Sequence, residues 1–273
     1  MAARPIPNVL TIAGVDPSGG AGVVADVKAI SAQRAYACAV IAALTAQNTQ
    51  AVTGIHAVPA AFVREQLDTL LADVRIDAAK IGMVGAVPVI RAVAEGLARA
   101  LPPQLVLDPV MVAKSGDALL ARDAVGALRE VLLPLATVIT PNLPEAGVLL
   151  DARPPDNLKE MRAAAERLRT AMTHAGERWV LLKGGHLAGD AAIDLLHDGD
   201  RMIELSAPRV ATRNTHGTGC TLSAALAAVL PQAVDVPTAA RRAKDYLTAA
   251  LKRADELAVG RGHGPVLHFP AHW

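Results

Sequence analysis

The chain has 273 residues and a mass of 28.2 kDa, long enough to bury a sizeable core without disulfide or metal staples. Its 27 basic and 26 acidic residues leave a formal charge of +1 and are interleaved, which excludes a basic nucleic-acid groove and an acidic solvating tail. With 52% hydrophobic but only 2% aromatic residues the core has to be aliphatic, and two cysteines, Cys38 and Cys220, make neither a disulfide framework nor a zinc cluster.

Short apolar runs alternate with longer amphipathic ones along the chain. "NVLTIAG" reads as a strand; it is too short an apolar stretch for a signal peptide, and Asp16 follows it closely. "AGVVADVKAISAQR" then reads as a helix, "CAVIAALT" as a strand and "AAFVREQLDTLLADV" as a helix. "AAKIGMVG", "QLVLDPV", "ATVITPN" and "RWVLLKGG" are further strands bounded by Gly, Pro or Asn, with helical patterns such as "VIRAVAEGLARAL" and "LKEMRAAAERLRTAM" between them. This order implies an α/β fold with a mostly parallel sheet and helices on both faces. "AAIDLLHDGDRMIELSAPRV" reads instead as two strands joined at Asp198-Gly199-Asp200, a hairpin. A helix over 217–229 and a long one, "TAARRAKDYLTAALKRADEL", complete the pattern. The uncharged stretch from His216 to Val234 approaches membrane-span length. Its glycines, Ser223, Pro231 and Gln232 make it a buried helix and loop, so a soluble, cytoplasmic protein with no membrane partner is expected. No repeat or composition break divides the chain, and one domain over residues 1–273 is expected.

In an open α/β sheet ligands bind beyond the carboxyl ends of the strands, where the polar, Gly-rich segments of this chain collect. Gly20-Ala21-Gly22 with Ala25 mimics a dinucleotide fingerprint, but no Asp or Glu lies at positions 37 to 48 to hold a ribose. A turn that lets a small substrate lie against backbone fits better. Walker and G-x-S-x-G motifs are absent. "NTHGTGCT" is an anion cradle: glycines at 217 and 219 let backbone N–H groups approach a phosphate, and the helix N-terminus adds partial positive charge. The same segment also reads as a plain loop-to-helix turn with Cys220 as a small buried hydrophobe. Asp108 and Glu145, carboxylates at strand ends with Asn142 nearby, suit Mg²⁺ on a nucleotide, although each also reads as a helix cap or surface charge. Lys183 emerges at a strand end and suits a phosphate. An anion cradle, acidic metal ligands and a lysine around one sheet edge point to phosphoryl transfer without a Walker loop. Its acceptor hydroxyl needs a base, and Cys220 holds that place with a thiolate favoured by the helix terminus.

The blocks "TIAGVDPSGGAGVVADVK", "ALTAQNT", "KIGMVG", "LDPVMVAKSGD", "TPNLPEA", "LLKGGH", "THGTGCTLSAA" and "GHGP" resemble the hydroxymethylpyrimidine/phosphomethylpyrimidine kinases of the ribokinase-like superfamily, from about Val9 to about Pro265. The resemblance implies a three-layer αβα fold without the large lid of the sugar kinases, and commonly a homodimer. It implies two ATP- and Mg²⁺-dependent phosphorylations in thiamine biosynthesis. The first acts on the hydroxymethyl of 4-amino-5-hydroxymethyl-2-methylpyrimidine, the second on the resulting monophosphate. Gln47 would grip the aminopyrimidine edge, to which an amide offers both donor and acceptor. Asp26, Gly14, Ala21, Met83 and Val110 would complete the substrate site. Gly217, Thr218 and Gly219 would cradle the phosphoryl group, with Cys220 standing where the sugar kinases carry a base aspartate. Asp108 and Glu145 would serve the magnesium, and Lys183, Asn142 and Thr215 the nucleotide. Lys114 to Asp117 would be a flap that closes over the site. Val15 stands where the family usually has Ser or Thr, and Val24 where Gln is common. The alternatives are a pyridoxal kinase, against which Gln47 argues, a binding protein that keeps the pocket without turnover, and a dinucleotide oxidoreductase, which lacks its acidic ribose partner.

Overall fold

The computed structural model describes residues 5–111, 123–173 and 176–272. β1 (Asn8–Val15) is buried along all but its two end residues, as a central strand covered on both faces must be. α1 (Gly22–Ala32) and β2 (Tyr36–Gln47) follow, and a turn closed by the Asn48 side chain, which accepts from the N–H groups of Gln50 and Ala51, reverses the chain into β3 (Val52–Ala57). The sequence reading has no strand at β3. Gly54 interrupts it and five of its six residues are exposed, so pairing with β2, not burial of an apolar face, makes this strand. Next come α2 (Ala60–Leu71), β4 (Ala78–Ile81), α3 (Val87–Arg99) and β5 (Leu105–Leu107). The short α4 (Ala124–Ala127), β6 (Val138–Ile139), α5 (Leu143–Leu149) and α6 (Leu158–Ala171) lead to β7 (Trp179–Leu182). β8 (Ala191–His197) and β9 (Met202–Pro208) form the expected hairpin, and α7 (Thr218–Val229) and α8 (Val236–Lys252) follow. The central strands are shorter than the apolar runs that announce them, because those runs continue past the ladder into the loops of the site.

The described residues form one sheet in the order β3-β2-β1-β4-β5-β6-β7-β8-β9. The strands from β2 to β7 are parallel, and antiparallel pairs close both ends. Alternate side chains divide the core in two. Leu10, Ile12, Ile81 and Leu107 pack with Val63, Leu67, Ile90 and Leu168 on the face covered by α2, α3 and α6. Val9, Ala78, Val106 and Trp179 pack with Ile30, Leu226 and Ala240 on the face covered by α1, α7 and α8. α7 is buried on every side from Thr221 to Val229, which its run of alanines and leucines permits. Architecture and layers are those of a ribokinase-like αβα fold, with no separate lid domain among the described residues. No described helix is long and apolar enough to cross a membrane. The suggested flap at 114–117 lies outside the described residues.

Two features aim the fold at one place. β1 lies between β2 and β4, so the chain leaves it toward opposite sides in successive crossovers, and a crevice opens at the carboxyl ends there. In β1 the register to β2 shifts between Ala13 and Gly14; in β2 the register to β3 shifts between Ala46 and Gln47. A bulge re-aims the side chain that follows it, and both Gly14 and Gln47 line the crevice.

His268 ties the C-terminal segment under α7. Its Nε2 hydrogen-bonds with the Thr221 hydroxyl at 3.2 Å, and its carbonyl accepts from the Tyr246 hydroxyl at 2.7 Å. Burial, with repulsion from Lys28, pushes this imidazole down to about 4 from an ordinary 6.5. Below pH 6.5 the unfolded chain therefore binds a proton that the folded chain refuses, and the stability present above pH 6.5 declines as pH falls toward 4. The urea midpoint of His268→Gln should accordingly drop less between pH 7 and pH 5 than that of the parent protein; equal drops would remove His268 as the cause.

Candidate active site

α7 begins from a left-handed residue. Gly217 has φ of 73°, and a Cβ there would run into the carbonyl oxygen of Gly20. The turn before α7 thus lies backbone on backbone against the turn after β1. Asp16 locks the two together: its carboxylate accepts from the N–H groups of Ser18 (2.8 Å) and Ala21 (3.0 Å), from the Ser18 hydroxyl (2.9 Å), and from His216 Nε2 at 2.7 Å. Burial opposes ionisation of Asp16, but the bonds from His216 and Ser18 outweigh it and hold the carboxyl below the usual range. No side chain caps α7. The Thr218 N–H makes a long bond of 3.4 Å to the Thr215 carbonyl, and those of Gly219 and Cys220 are open to an anion, with the helix dipole behind them.

Across the crevice stand the acids and the lysine. Asp108, just past β5, is buried and accepts from Thr140 Oγ1 and Lys183 Nζ, both at 3.0 Å, and from Ser223 Oγ at 3.1 Å. Burial works against this carboxylate, but Lys183 and Lys80 outweigh it and keep it ionised below the usual range. Asn142 and Glu145 form a capping box on α5: Asn142 Oδ1 accepts from the Glu145 N–H at 2.9 Å and Glu145 Oε2 from the Asn142 N–H at 2.7 Å. Both are helix caps and both line the cavity. Burial pushes Glu145 up to about 7; Lys183 opposes this and the charge of Asp108 adds to it. Lys183 lies between the two acids, 3.0 Å from Asp108 and 4.0 Å from Glu145. Its strand end is fixed from below, because the N–H of Gly184 donates to Asp194 Oδ1 at 2.9 Å and Asp194 Oδ2 is held by Lys244 at 2.6 Å.

One cavity of about 450 Å³ brings these groups together. Gly14, Ala21, Gln47, Met83 and Val110 line it, as do Asp108, Asn142, Glu145, Lys183 and Thr215, and Gly217, Thr218, Gly219 and Cys220 of the turn that opens α7. The Thr45 hydroxyl lies 3.0 Å from Gln47 Oε1 and orients that amide.

Asp26, expected at the substrate, is not among the residues that line the cavity. It sits on the inward face of α1, wholly buried, where it accepts from Thr11 Oγ1 at 2.6 Å and pairs with Lys80 at 2.8 Å. Lys80 is itself wholly buried on β4 and needs a counter-ion there. Burial opposes its charge, but Asp26 outweighs that and holds the ammonium above its ordinary value. The expectation of an acidic thiol at Cys220 is corrected. Burial pushes it up to about 11; Lys80 pulls it down, Asp26 and Asp108 push it up, and the Gly22 N–H that bonds it pulls it down. A helix terminus does not offset desolvation at this site.

Asp16 and His216 escaped the sequence reading. They are 200 positions apart and meet only because two glycine turns interlock. The adjacent "VDPSGG" and "THGTG" hold both residues, but nothing local pairs them.

The profile of the family described as phosphomethylpyrimidine kinase matches residues 16–267. The chain is 50% identical over 266 residues to the hydroxymethylpyrimidine/phosphomethylpyrimidine kinase of Escherichia coli (strain K12), spanning 97% of this chain and 98% of that protein. It superposes on the ADP complex of Bacillus subtilis pyridoxal kinase with a TM-score of 0.88 at 34% identity, over 97% and 98% of the two chains. The phosphomethylpyrimidine kinase of Clostridium difficile 630 gives a TM-score of 0.78 at 36% identity, over 90% of this chain and 100% of that one.

With its thiol protonated at neutral pH, Cys220 should label slowly with iodoacetamide at pH 7 and steadily faster as pH rises past 9. Labelling at pH 7 as fast as a free cysteine, read by mass spectrometry, would show that burial does not govern this thiol.

Proposed function

Because the chain belongs to the phosphomethylpyrimidine kinase family, we propose that it transfers a phosphoryl group from ATP to the hydroxymethyl of 4-amino-5-hydroxymethyl-2-methylpyrimidine, and a second to the monophosphate, for thiamine assembly. What carries the reading is the joining of a Gln47 amide, an uncapped glycine turn and a Lys183–Asp108–Glu145 cluster in one cavity. The ring edge pairs with Gln47 between Met83 and Val110, and Gly14 and Ala21 let it lie against backbone. The acceptor oxygen then forms its bond to the γ-phosphorus while the bond to the bridging oxygen breaks and ADP leaves. The first-turn N–H groups of α7 take the equatorial oxygens, with Gly217 and Gly219 admitting them. Thr218, Thr215, Asn142 and Lys183 hold the nucleotide. A loose transition state asks mainly for such positioning and charge stabilisation.

The residues fit magnesium. Among the described residues no three His, Cys, Asp or Glu form a protein-only cage, and Mg²⁺ ordinarily takes one or two carboxylates with phosphates and waters. Two buried acids that raise one another's affinity for a proton gain when a cation joins them. Asp108 and Glu145 would hold the ion, which supplies charge neutralisation on the phosphates. Only the thiolate of Cys220 can take the hydroxyl proton as the new bond forms, and Lys80 beneath it favours that form. The reading includes a single kinase domain over residues 1–273, a cytoplasmic location and a homodimer, the last checked by light scattering.

A coupled ADP-release assay with ATP, Mg²⁺ and hydroxymethylpyrimidine, its monophosphate or pyridoxal in separate wells decides the substrate. Turnover of both pyrimidines with pyridoxal slow is expected, and pyridoxal alone would move the chain to pyridoxal kinase, the activity its Bacillus subtilis structural neighbour is named for. Gln47→Ala should raise the pyrimidine KM more than the ATP KM.

The two steps differ in their need for a base. A hydroxyl must lose its proton, by a route worth about 10²- to 10⁴-fold in rate, whereas a phosphate with a second pKa of about 6 arrives largely deprotonated. Cys220→Ala should therefore cut kcat for the alcohol by that order and for the monophosphate far less, with ATP binding retained. Equal losses on the two substrates would remove the cysteine as base.

A further inference from the structure

The turn between β2 and β3, two residues past Gln47, is tied to the opposite end of the chain. The Thr49 hydroxyl oxygen accepts from the Gly262 N–H at 3.1 Å, and the Thr49 carbonyl from the His263 N–H at 3.0 Å. The approach leaves no room for a side chain: a Cβ on Gly262 would run into the Thr49 carbonyl oxygen. Two residues on, the same segment reaches the phosphoryl side of the cavity. The Gly264 carbonyl accepts from the His216 N–H at 2.9 Å, and His216 pairs with Pro265 as a parallel bridge. His216 immediately precedes the left-handed Gly217 that opens α7, and its ring holds Asp16. Asn214 anchors this end, donating to the Ala254 carbonyl at 2.8 Å.

The hairpin needs such an anchor. β3 is an edge strand with its side chains exposed, and a two-stranded hairpin tip gains little fixed position from its own ladder. Yet Gln47 must meet a flat heteroaromatic edge within hydrogen-bonding geometry. The hydroxymethyl on that ring must also fall where the cradle presents phosphorus, and small misplacements there are costly.

We propose that Thr49 is a positioning residue of the kinase: through it residues 260–264 act as a strap that sets the ring-recognising hairpin at a fixed distance from the phosphoryl cradle. This rests on the reading of Gln47 as the ring contact. Thr49 touches neither substrate; it acts through Gln47.

The test is a double-mutant cycle. Thr49→Val removes the oxygen that Gly262 bonds and keeps the shape. It should raise KM for the ring substrate about three- to tenfold, the worth of one hydrogen bond, with the ATP KM unchanged and Thr49→Ser restoring the parent value. In a Gln47→Ala background Thr49→Val should add no further rise. A Thr49→Val protein that melts lower with both KM values intact would make the strap merely structural and overturn the proposal. So would the same rise with and without Gln47. The cycle is run on whichever heteroaromatic alcohol the parent protein phosphorylates. Activity on pyridoxal alone therefore overturns the pyrimidine reading, while the cycle still decides the role of Thr49.

Discussion

The site depends on a contact between two pieces of backbone. Gly217 lies so close to the Gly20 carbonyl that no Cβ fits, and Asp16 bonds across the junction to His216. One turn comes from the amino end of the chain and the other from the start of α7. If they drew apart, the two glycine turns that line the cavity would lose their alignment at once. The glycines make the approach sterically possible, and the carboxylate makes it specific. The layers of the fold serve this junction: α1 and α7 pack on the same sheet face, each beginning at one of the two turns.

Around the junction the charges are buried in matched sets. Lys80 with Asp26, Lys183 with Asp108 and Lys244 with Asp194 are three ion pairs at or beneath the cavity floor. Buried pairs of this kind are often no more stabilising than apolar residues of the same volume, since desolvation offsets the attraction. Their retention makes sense as a fixed electrostatic frame. Lys80 places positive charge under the thiol, and Asp194, gripped by Lys244, holds the backbone next to Lys183. Lys183 itself sits between two acids that a metal–nucleotide complex would otherwise satisfy.

Most of this frame was legible wherever sequence neighbours are also neighbours in space. A glycine turn followed at once by an apolar helix announces an uncapped N-terminus, and "NVLTIAG" or "WVLLK" announces a strand that releases its next residues at a sheet edge. Legibility failed where a residue's role is set from afar. Asp26 looks like a site acid because it follows the substrate turn, but Lys80, 54 positions on, claims it. β3 has no apolar face to betray it, since it is held only by β2. The Asp16–His216 bond and the Thr49–Gly262 strap span 200 and 213 positions, and no local pattern encodes either.

The cysteine shows why location and chemistry have to be argued separately. A helix N-terminus lowers a thiol's pKa only while the thiol stays solvated. Here Cys220 sits half-buried in the cavity wall, and desolvation wins. The same withdrawal from water strengthens the charge pairs around it, Lys183 with Asp108 among them. A permanently ionised thiolate beside the transferring phosphate would repel the group it is meant to assist. A thiol that is neutral at rest and can accept a proton only once its hydrogen is displaced or shared adds no such charge. The raised pKa is thus compatible with binding two anionic substrates in turn, ATP and a phosphorylated ring, in a cavity whose fixed positive charge comes from Lys183 and the lysine beneath the floor.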